Sequence, residues 1–308
     1  LFYDKDINEV LAEAIRRKFM KLGLSFPQTE IGTDPSKIKD FMQSAEDLGY
    51  DFITFVDHVL GEEAPRGASF AGNYTRDFMF HEVMVLMGYA AAVTNRIGLG
   101  TAVMILPQRQ AVLVAKQAAE VDLLSGGRLR LGVGLGWNKV EYDGLGMPFG
   151  NRAKRFSEQI DVMRELWSQR VVEYRGDFHD FDSAGINPEP IQRPIPVWIG
   201  AMKEVAVRRA ARVGDGWFMY PRQDPGDEAH AMISTYRQAA AEAGREPDSL
   251  GVNATVFANQ GAGPDEWRSI MEKWERMGVN ELTFRTAESD LKNLAAHMDA
   301  IKKMAEIR

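Results

Sequence analysis

Short apolar strand patterns alternate with amphipathic helix patterns along almost the whole chain of 308 residues. Eight repeats of this kind predict a (β/α)8 TIM barrel, in which parallel strands form the inner layer and helices the outer one. A doubly wound open sheet is the alternative, although it rarely needs eight repeats. The predicted strands are 21–26, 52–57, 97–104, 128–133, 197–201, 216–220, 250–257 and 281–285. The predicted helices are 35–48, 78–94, 110–124, 152–167, 204–213, 227–243, 265–277 and 289–304.

The segment 97–138 shows the repeat most clearly. Residues 110–124 carry apolar side chains at helical spacing, and the glycine pair at 126–127 is a typical helix stop. The strand pattern that follows runs directly into the sequence GLGWN at 134–138. Because barrel enzymes bind ligands at the carboxyl ends of their strands, this turn predicts a ligand site.

Composition excludes several kinds of site. The chain has no cysteine, which rules out disulfides, thiolate catalysis and iron–sulfur clusters. Its five histidines show no paired spacing, so a zinc site is not expected. A net charge of −7 argues against nucleic acid as the main partner. No apolar run reaches membrane-spanning length, and we expect a cytoplasmic protein without membrane contact.

The sequence predicts one domain over 20–308, preceded by a charged stretch at 1–19 that we interpret as an N-terminal extension. Two connections are long for a barrel. The segment 59–77 follows the second strand and is expected to lie over the ligand site. The segment 168–196, between the fourth helix and the fifth strand, is expected to be an insertion that contains a small hairpin.

His58 is the only histidine that follows a predicted strand, which makes it the candidate proton-handling group. The alternative is a structural histidine hydrogen-bonded to the barrel rim. Asp57 either orients His58, hydrogen-bonds the neighbouring loop or caps a turn.

Other strand ends carry weaker signals. The small residues at 100–103 either let a flat ligand approach the backbone or only bend the barrel. Trp137 and Asn138 suit a conjugated heterocycle, and the alternative for Trp137 is an apolar plug. Free N–H groups at the helix start near 204 can hold a phosphate, although every barrel repeat has such an end. Arg285 needs an anionic partner, either a carboxylate of the protein or a ligand phosphate.

Several ordered motifs resemble the luciferase-like monooxygenase superfamily, and within it the branch of coenzyme F420-dependent oxidoreductases. They are KLGLSFP at 21–27, AEDLGYDFITFVDHV at 45–59, RIGLGTAVMILPQRQ at 96–110, LVAKQAAEVDLLSGGRLRLGVGLGWN at 113–138 and EYDGLGMPFGNR at 141–152. The segments INPEPIQRPIPVWIGA and RRAARVGDGW continue the series, so the resemblance covers about 20–220.

The resemblance implies a barrel with an insertion after the fourth helix and a flavin or deazaflavin ring in its mouth. It also implies a non-prolyl cis peptide near Ala102-Val103 that backs the ring, and His58 as the catalytic residue near the reactive face. The cofactor contacts that it implies are Asp57, Thr101, Ala102, Val103, Leu135, Gly136, Trp137, Asn138, Gly200, Ala201 and Met202. Some deazaflavin-dependent relatives carry a glutamate where this chain has Leu135, so that proton-donor role has no obvious successor here.

Three functions follow from these observations. The first is an oxidoreductase that moves a hydride between a small organic substrate and bound coenzyme F420. The second is an FMN-dependent monooxygenase supplied with reduced flavin by a separate reductase. The third is a flavin-binding barrel without catalysis, in which substitution of His58 would change nothing. A homodimer through the helix at 78–94 is also expected from the resemblance.

Overall fold

The computed structural model describes residues 20–63, 74–219, 222–261 and 263–308. The interpretation of 1–19 as an extension therefore lies outside the described residues. In chain order the elements are β1 (Lys21–Ser25), α1 (Pro35–Asp47), β2 (Phe52–Phe55), α2 (Val83–Val93), β3 (Gly98–Thr101), β4 (Met104–Ile105), α3 (Ala111–Ser125), β5 (Leu129–Gly134), α4 (Lys139–Gly144), α5 (Arg152–Ser168), β6 (Val172–Arg175), β7 (Asp180–Ala184), β8 (Val197–Gly200), α6 (Glu204–Val213), β9 (Gly216–Phe218), α7 (Asp227–Glu242), β10 (Gly251–Phe257), α8 (Pro264–Arg276), β11 (Glu281–Arg285) and α9 (Leu294–Glu306). Short 3-10 helices lie at Leu106–Gln108 and Pro247–Ser249.

The inner layer is a closed parallel barrel, as the strand and helix alternation predicts. Strand β1 pairs with β2 on one side and with β11 on the other. Pairing continues from β11 through β10, β9 and β8 to β5, and β5 closes the circle against β3 and β4. Since β3 and β4 share one position, the barrel has eight strand positions. The open doubly wound sheet is therefore excluded.

The third strand position differs from the continuous strand predicted at 97–104. It is divided into β3 and β4 by Ala102 and Val103, which are joined by a non-proline cis peptide bond. The resemblance implied such a bond at this place, and the structure confirms it. The chain therefore bulges where β3 reaches the mouth of the barrel.

An ion pair fills the lower part of the barrel. Arg130 of β5 pairs with Glu281 of β11. Its guanidinium carbon lies 4.5 Å from the ring centre of Phe52 and 4.2 Å from that of Trp198. Because these side chains come from four different strands, they meet across the barrel. The lower interior is therefore closed, and the space for a ligand lies above this layer.

Three glycines make room for the rings of Trp198 and Phe52 in the lower part of the barrel. A Cβ atom at Gly216 would lie 2.3 Å from the ring of Trp198, and one at Gly251 would lie 2.1 Å from it. A Cβ atom at Gly23 would lie 2.1 Å from the ring of Phe52. No side chain fits at these distances, so the packing of the barrel floor requires glycine at all three positions.

Two helices begin later than their apolar patterns predict. The helix predicted at 78–94 begins at Val83, where Glu82 accepts a hydrogen bond from the backbone N–H of Val85. The helix predicted at 289–304 begins at Leu294, with Asn293 as its cap.

The predicted hairpin in the insertion is confirmed by the antiparallel pairing of β6 with β7. None of the described helices is both long and apolar enough to cross a membrane.

Candidate active site

A cavity of about 540 Å³ opens at the carboxyl ends of the barrel strands. This volume lies within the roughly 300–1,000 Å³ that is usual for small-molecule sites. Ten of the twelve residues that the sequence assigns to the site line it: Asp57, His58, Ala102, Val103, Leu135, Gly136, Trp137, Gly200, Ala201 and Met202. The structure therefore brings together residues from four strand ends that are separated by up to 145 positions (57 to 202).

Thr101 and Asn138 lie behind the cavity wall instead. The Thr101 hydroxyl is fully buried and donates to the carbonyl oxygen of Gly132. Asn138 accepts from the backbone N–H of Val140 as the cap of α4 and donates to the carbonyl oxygen of Leu60. Both side chains thus form their hydrogen bonds within the protein, and we assign them a role in supporting the cavity wall.

His58 sits in an enclosure of aromatic side chains at the mouth. Its ring centre lies 4.9 Å from that of Tyr74, 4.7 Å from that of Phe80 and 6.0 Å from that of Trp137. Its side chain is 11% exposed. An imidazole among rings of this kind is held in one orientation and is partly shielded from water, which suits a group that exchanges protons with a ligand.

The carboxylate that contacts His58 belongs to Glu141, a residue that sequence reasoning did not identify. His58 Nδ1 lies 3.1 Å from Glu141 Oε1. Burial raises the pKa of Glu141, but its hydrogen bond to His58, the charge of that ring when protonated, and its hydrogen bonds to Gln108 and Val59 together hold the pKa below its usual range. Glu141 is therefore ionised at neutral pH. The available signal was an acidic residue in the first turn of a helix that follows the glycine-rich turn.

Asp57 has a different role from the orientation of His58. Its Oδ1 accepts from Arg109 Nη2 at 2.8 Å, and its Oδ2 accepts from the backbone N–H of Ile105 at 3.0 Å. Arg109 in turn donates to Glu82 at the start of α2. Asp57 thus holds β4 in place just after the bulge, and none of its described hydrogen bonds goes to His58.

One wall of the cavity is smooth because glycines face Val103. A Cβ atom at Gly134 would lie 2.6 Å from Val103 Cγ2, and one at Gly200 would lie 3.0 Å from Val103 Cγ1. Gly136 has a φ of +66°, and its Cβ position would lie 2.5 Å from Ile105. The side chain of Val103 therefore packs directly on the backbone at these glycines, and together they form an apolar surface. A planar aromatic ring fits against such a surface.

Three basic side chains line the cavity, two of them at or within α6. Lys203, Arg209 and Arg152 all line the cavity. Within the part of the chain that the structure describes, neither Lys203 nor Arg209 forms an ion pair. Burial, with a smaller contribution from Arg212, lowers the pKa of Arg209 below its usual range. The first N–H groups of α6 also have no side-chain cap. This end of the cavity can therefore bind an anion.

The strand-end arginine at 285 already has an anionic partner within the protein. Arg285 lines the cavity and pairs with Glu288, which also accepts from Tyr74 at 3.0 Å and from Arg222 at 2.7 Å. Glu288 is therefore an anionic partner of Arg285 within the protein. The described residues contain no group of three or more histidine, cysteine, aspartate or glutamate residues that could hold a metal ion.

The family model of luciferase-like monooxygenases matches residues 20–306. The chain belongs to the luciferase-like monooxygenase family. The uncharacterized protein Rv0940c of Mycobacterium tuberculosis is 35% identical over 227 residues, which are 72% of this chain and 77% of that protein. An F420-dependent glucose-6-phosphate dehydrogenase of Nakamurella multipartita is 29% identical over 220 residues, 70% of this chain and 61% of that enzyme.

Solved structures share the luciferase-like fold at low identity. The monooxygenase RslO1 of Streptomyces bottropensis has a TM-score of 0.77 at 20% identity and covers 93% of this chain and 98% of its own. The oxygenating constituent of 3,6-diketocamphane monooxygenase from Pseudomonas putida, in complex with FMN, has a TM-score of 0.73 at 14% identity, with 93% and 97% covered. Family members are oxidoreductases and monooxygenases, which supports an enzyme rather than a barrel without catalysis.

Proposed function

We propose that this chain is an oxidoreductase that transfers a hydride between a small organic substrate and bound coenzyme F420. The observation that carries the proposal is a shielded histidine, His58, in one cavity with a glycine-lined wall and two cations, Lys203 and Arg209, that form no ion pair with the described residues. A deazaflavin supplies or accepts the hydride at its C5 position when it is bound. The chain supplies the wall, the anion-binding groups and the proton-exchanging imidazole.

Each part of the cavity has a separate task in this proposal. Ala102, Val103 and the facing glycines hold a planar ring on one side. Lys203 and Arg209, with the free N–H groups of α6, bind the negatively charged side chain of the cofactor. His58 exchanges the proton that accompanies the hydride, and the aromatic rings around it exclude water from that exchange.

An FMN-dependent monooxygenase is the second candidate, because the same wall and the same cations also fit FMN and its single phosphate. That enzyme would receive reduced flavin from a separate reductase. For either function we propose a homodimer in the cytoplasm, formed through the outer faces of α2 and α3. The substrate is a small molecule, and neither nucleic acid nor a membrane is a partner.

Titration with purified F420 and FMN, followed by intrinsic tryptophan fluorescence, tests the proposal because Trp137 lines the cavity. We expect F420 to bind at least about tenfold more tightly than FMN. Arg209→Gln should weaken F420 binding by about tenfold, the effect of one lost charge-assisted contact. Arg212→Gln is the matched control, since it removes the same charge from the exposed side of α6. Tight binding of FMN alone would favour the monooxygenase, and binding of neither cofactor would refute both.

A further inference from the structure

Glu141 is a buried carboxylate whose two oxygens both have hydrogen-bond partners. Its side chain is 1% exposed. Its Oε1 accepts from the backbone N–H of Val59 at 2.8 Å and lies 3.1 Å from His58 Nδ1. Its Oε2 accepts from Gln108 Nε2 at 3.0 Å. One carboxylate thus contacts the loop after β2, the imidazole and the segment that follows the bulge.

The chemistry of this contact determines which nitrogen of His58 carries the proton. An ionised carboxylate can only accept hydrogen bonds, so a neutral His58 that bonds to it must carry its proton on Nδ1. The lone pair then lies on Nε2. Asp57 is the adjacent residue but does not have this effect: among the described contacts its oxygens accept from Arg109 and from the N–H of Ile105, and neither contacts the imidazole.

We infer that Glu141 is a positioning residue that fixes His58 in the Nδ1–H tautomer and leaves Nε2 as the nitrogen available to a ligand. Through Gln108, the same carboxylate also joins His58 to the segment that follows the Ala102–Val103 bulge. The tautomer follows from the contact of His58 with an ionised carboxylate and does not depend on a cofactor. Its use in proton exchange rests on the function proposed above.

The ring-nitrogen NMR signals of ¹⁵N-histidine-labelled protein without cofactor test this inference at a pH where the rings are neutral. The His58 signals are assigned by their loss in His58→Asn. In the wild type we expect the Nδ1–H form to exceed the Nε2–H form by at least about tenfold, as a hydrogen bond to a charged acceptor implies. In Glu141→Gln, which offers only a neutral acceptor, this ratio should fall about fivefold.

Asp57→Asn is the matched control, because it neutralises an equally buried carboxylate that does not contact the imidazole. It should leave the tautomer ratio of His58 unchanged. A wild-type His58 protonated on Nε2 overturns the inference, as does a ratio that responds to Asp57→Asn and not to Glu141→Gln. If Glu141→Gln does not fold, the wild-type tautomer alone decides. These measurements need no cofactor, so their outcome is independent of the F420 and FMN titrations.

Discussion

At the level of single residues, the cavity depends on positions where no side chain is present. Gly134 and Gly200 let Val103 approach the backbone of two neighbouring strands. Val103 in turn occupies space that would otherwise be part of the cavity. The shape of the wall is therefore set by the combined volume of these three residues, and a change in one can be offset by a change in another.

Gly134→Ala tests this coupling. The added methyl group would lie 2.6 Å from Val103 Cγ2, so Val103 must move into the cavity. We expect cofactor binding to weaken at least about tenfold and the free energy of unfolding to fall by about 1–3 kcal/mol. The measurements are fluorescence titration and urea denaturation.

The double variant with Val103→Ala removes the contact and should restore most of the lost affinity. Gly150→Ala is the control, because nothing lies within 4 Å of the added Cβ atom. A double variant as weak as Gly134→Ala alone would show that the wall does not act through Val103.

Sequence reasoning found His58 because it follows a strand, which is a local signal. It missed Glu141, whose contact with His58 joins positions that are 83 residues apart. The resemblance to the family implied that Thr101 and Asn138 contact the cofactor, and Asn138 was also chosen because an amide beside Trp137 suits a heterocycle. Neighbours along a strand or turn alternate in direction, and only the three-dimensional contacts show that these two face the protein.

At the level of elements, the late start of α2 has a physical cause. Residues 78–80 are apolar, as in a helix, but their rings pack on other aromatic side chains. Phe78 lies 5.4 Å from Tyr74, and Phe80 lies 4.7 Å from His58. The apolar pattern of this segment therefore belongs to the aromatic cluster around His58. Before α9, Glu288 and Asp290 have positive φ angles, which a continuous helix does not allow.

Glu46 joins α1 to the start of β3. Its carboxylate accepts from the backbone N–H groups of Asn95, Arg96 and Ile97. Burial raises the pKa of Glu46, but these three hydrogen bonds and the charge of Arg96 together lower it below its usual range. The ionised carboxylate thus stabilises the folded state above the unfolded pKa near 4.5, and this contribution is lost as the pH falls through the lower folded value.

We expect Glu46→Gln to lower the free energy of unfolding by about 1–3 kcal/mol at pH 7, because a neutral amide cannot replace all three accepted bonds. The difference from wild type should shrink as the pH falls below about 4.5. Urea denaturation at pH 7 and at lower pH measures both quantities. Asp47→Asn, at the end of the same helix, is the control for loss of charge. A difference that stays constant with pH would show that the ionised form is not what stabilises this junction.

At the level of the whole molecule, the alternation of strand and helix patterns was sufficient to predict the closed barrel. Each repeat buries one strand and covers it with one helix, so eight repeats have only one closed arrangement of this kind. The alternation of strand and helix patterns did not predict that charged side chains lie inside the barrel. Arg130 and Glu281 stand where barrels usually carry branched apolar residues, and only their pairing across the barrel explains them.

The outer faces of α2 and α3 provide a test of the proposed homodimer. Val85 is 74% exposed, and Leu113 on the adjacent helix is 51% exposed. A stable dimer buries about 800 Å² on each partner, and the centre of such an interface is its most apolar part. This apolar face would therefore form the centre of the dimer interface.

Light scattering after size exclusion should give twice the chain mass of 34.5 kDa for the wild type and the single mass for Val85→Asp combined with Leu113→Asp. Ile191→Asp changes an exposed apolar residue of the insertion and should leave the dimer intact. A monomeric wild type at micromolar concentration would refute the proposed assembly without affecting the cavity, whose described lining comes from one chain.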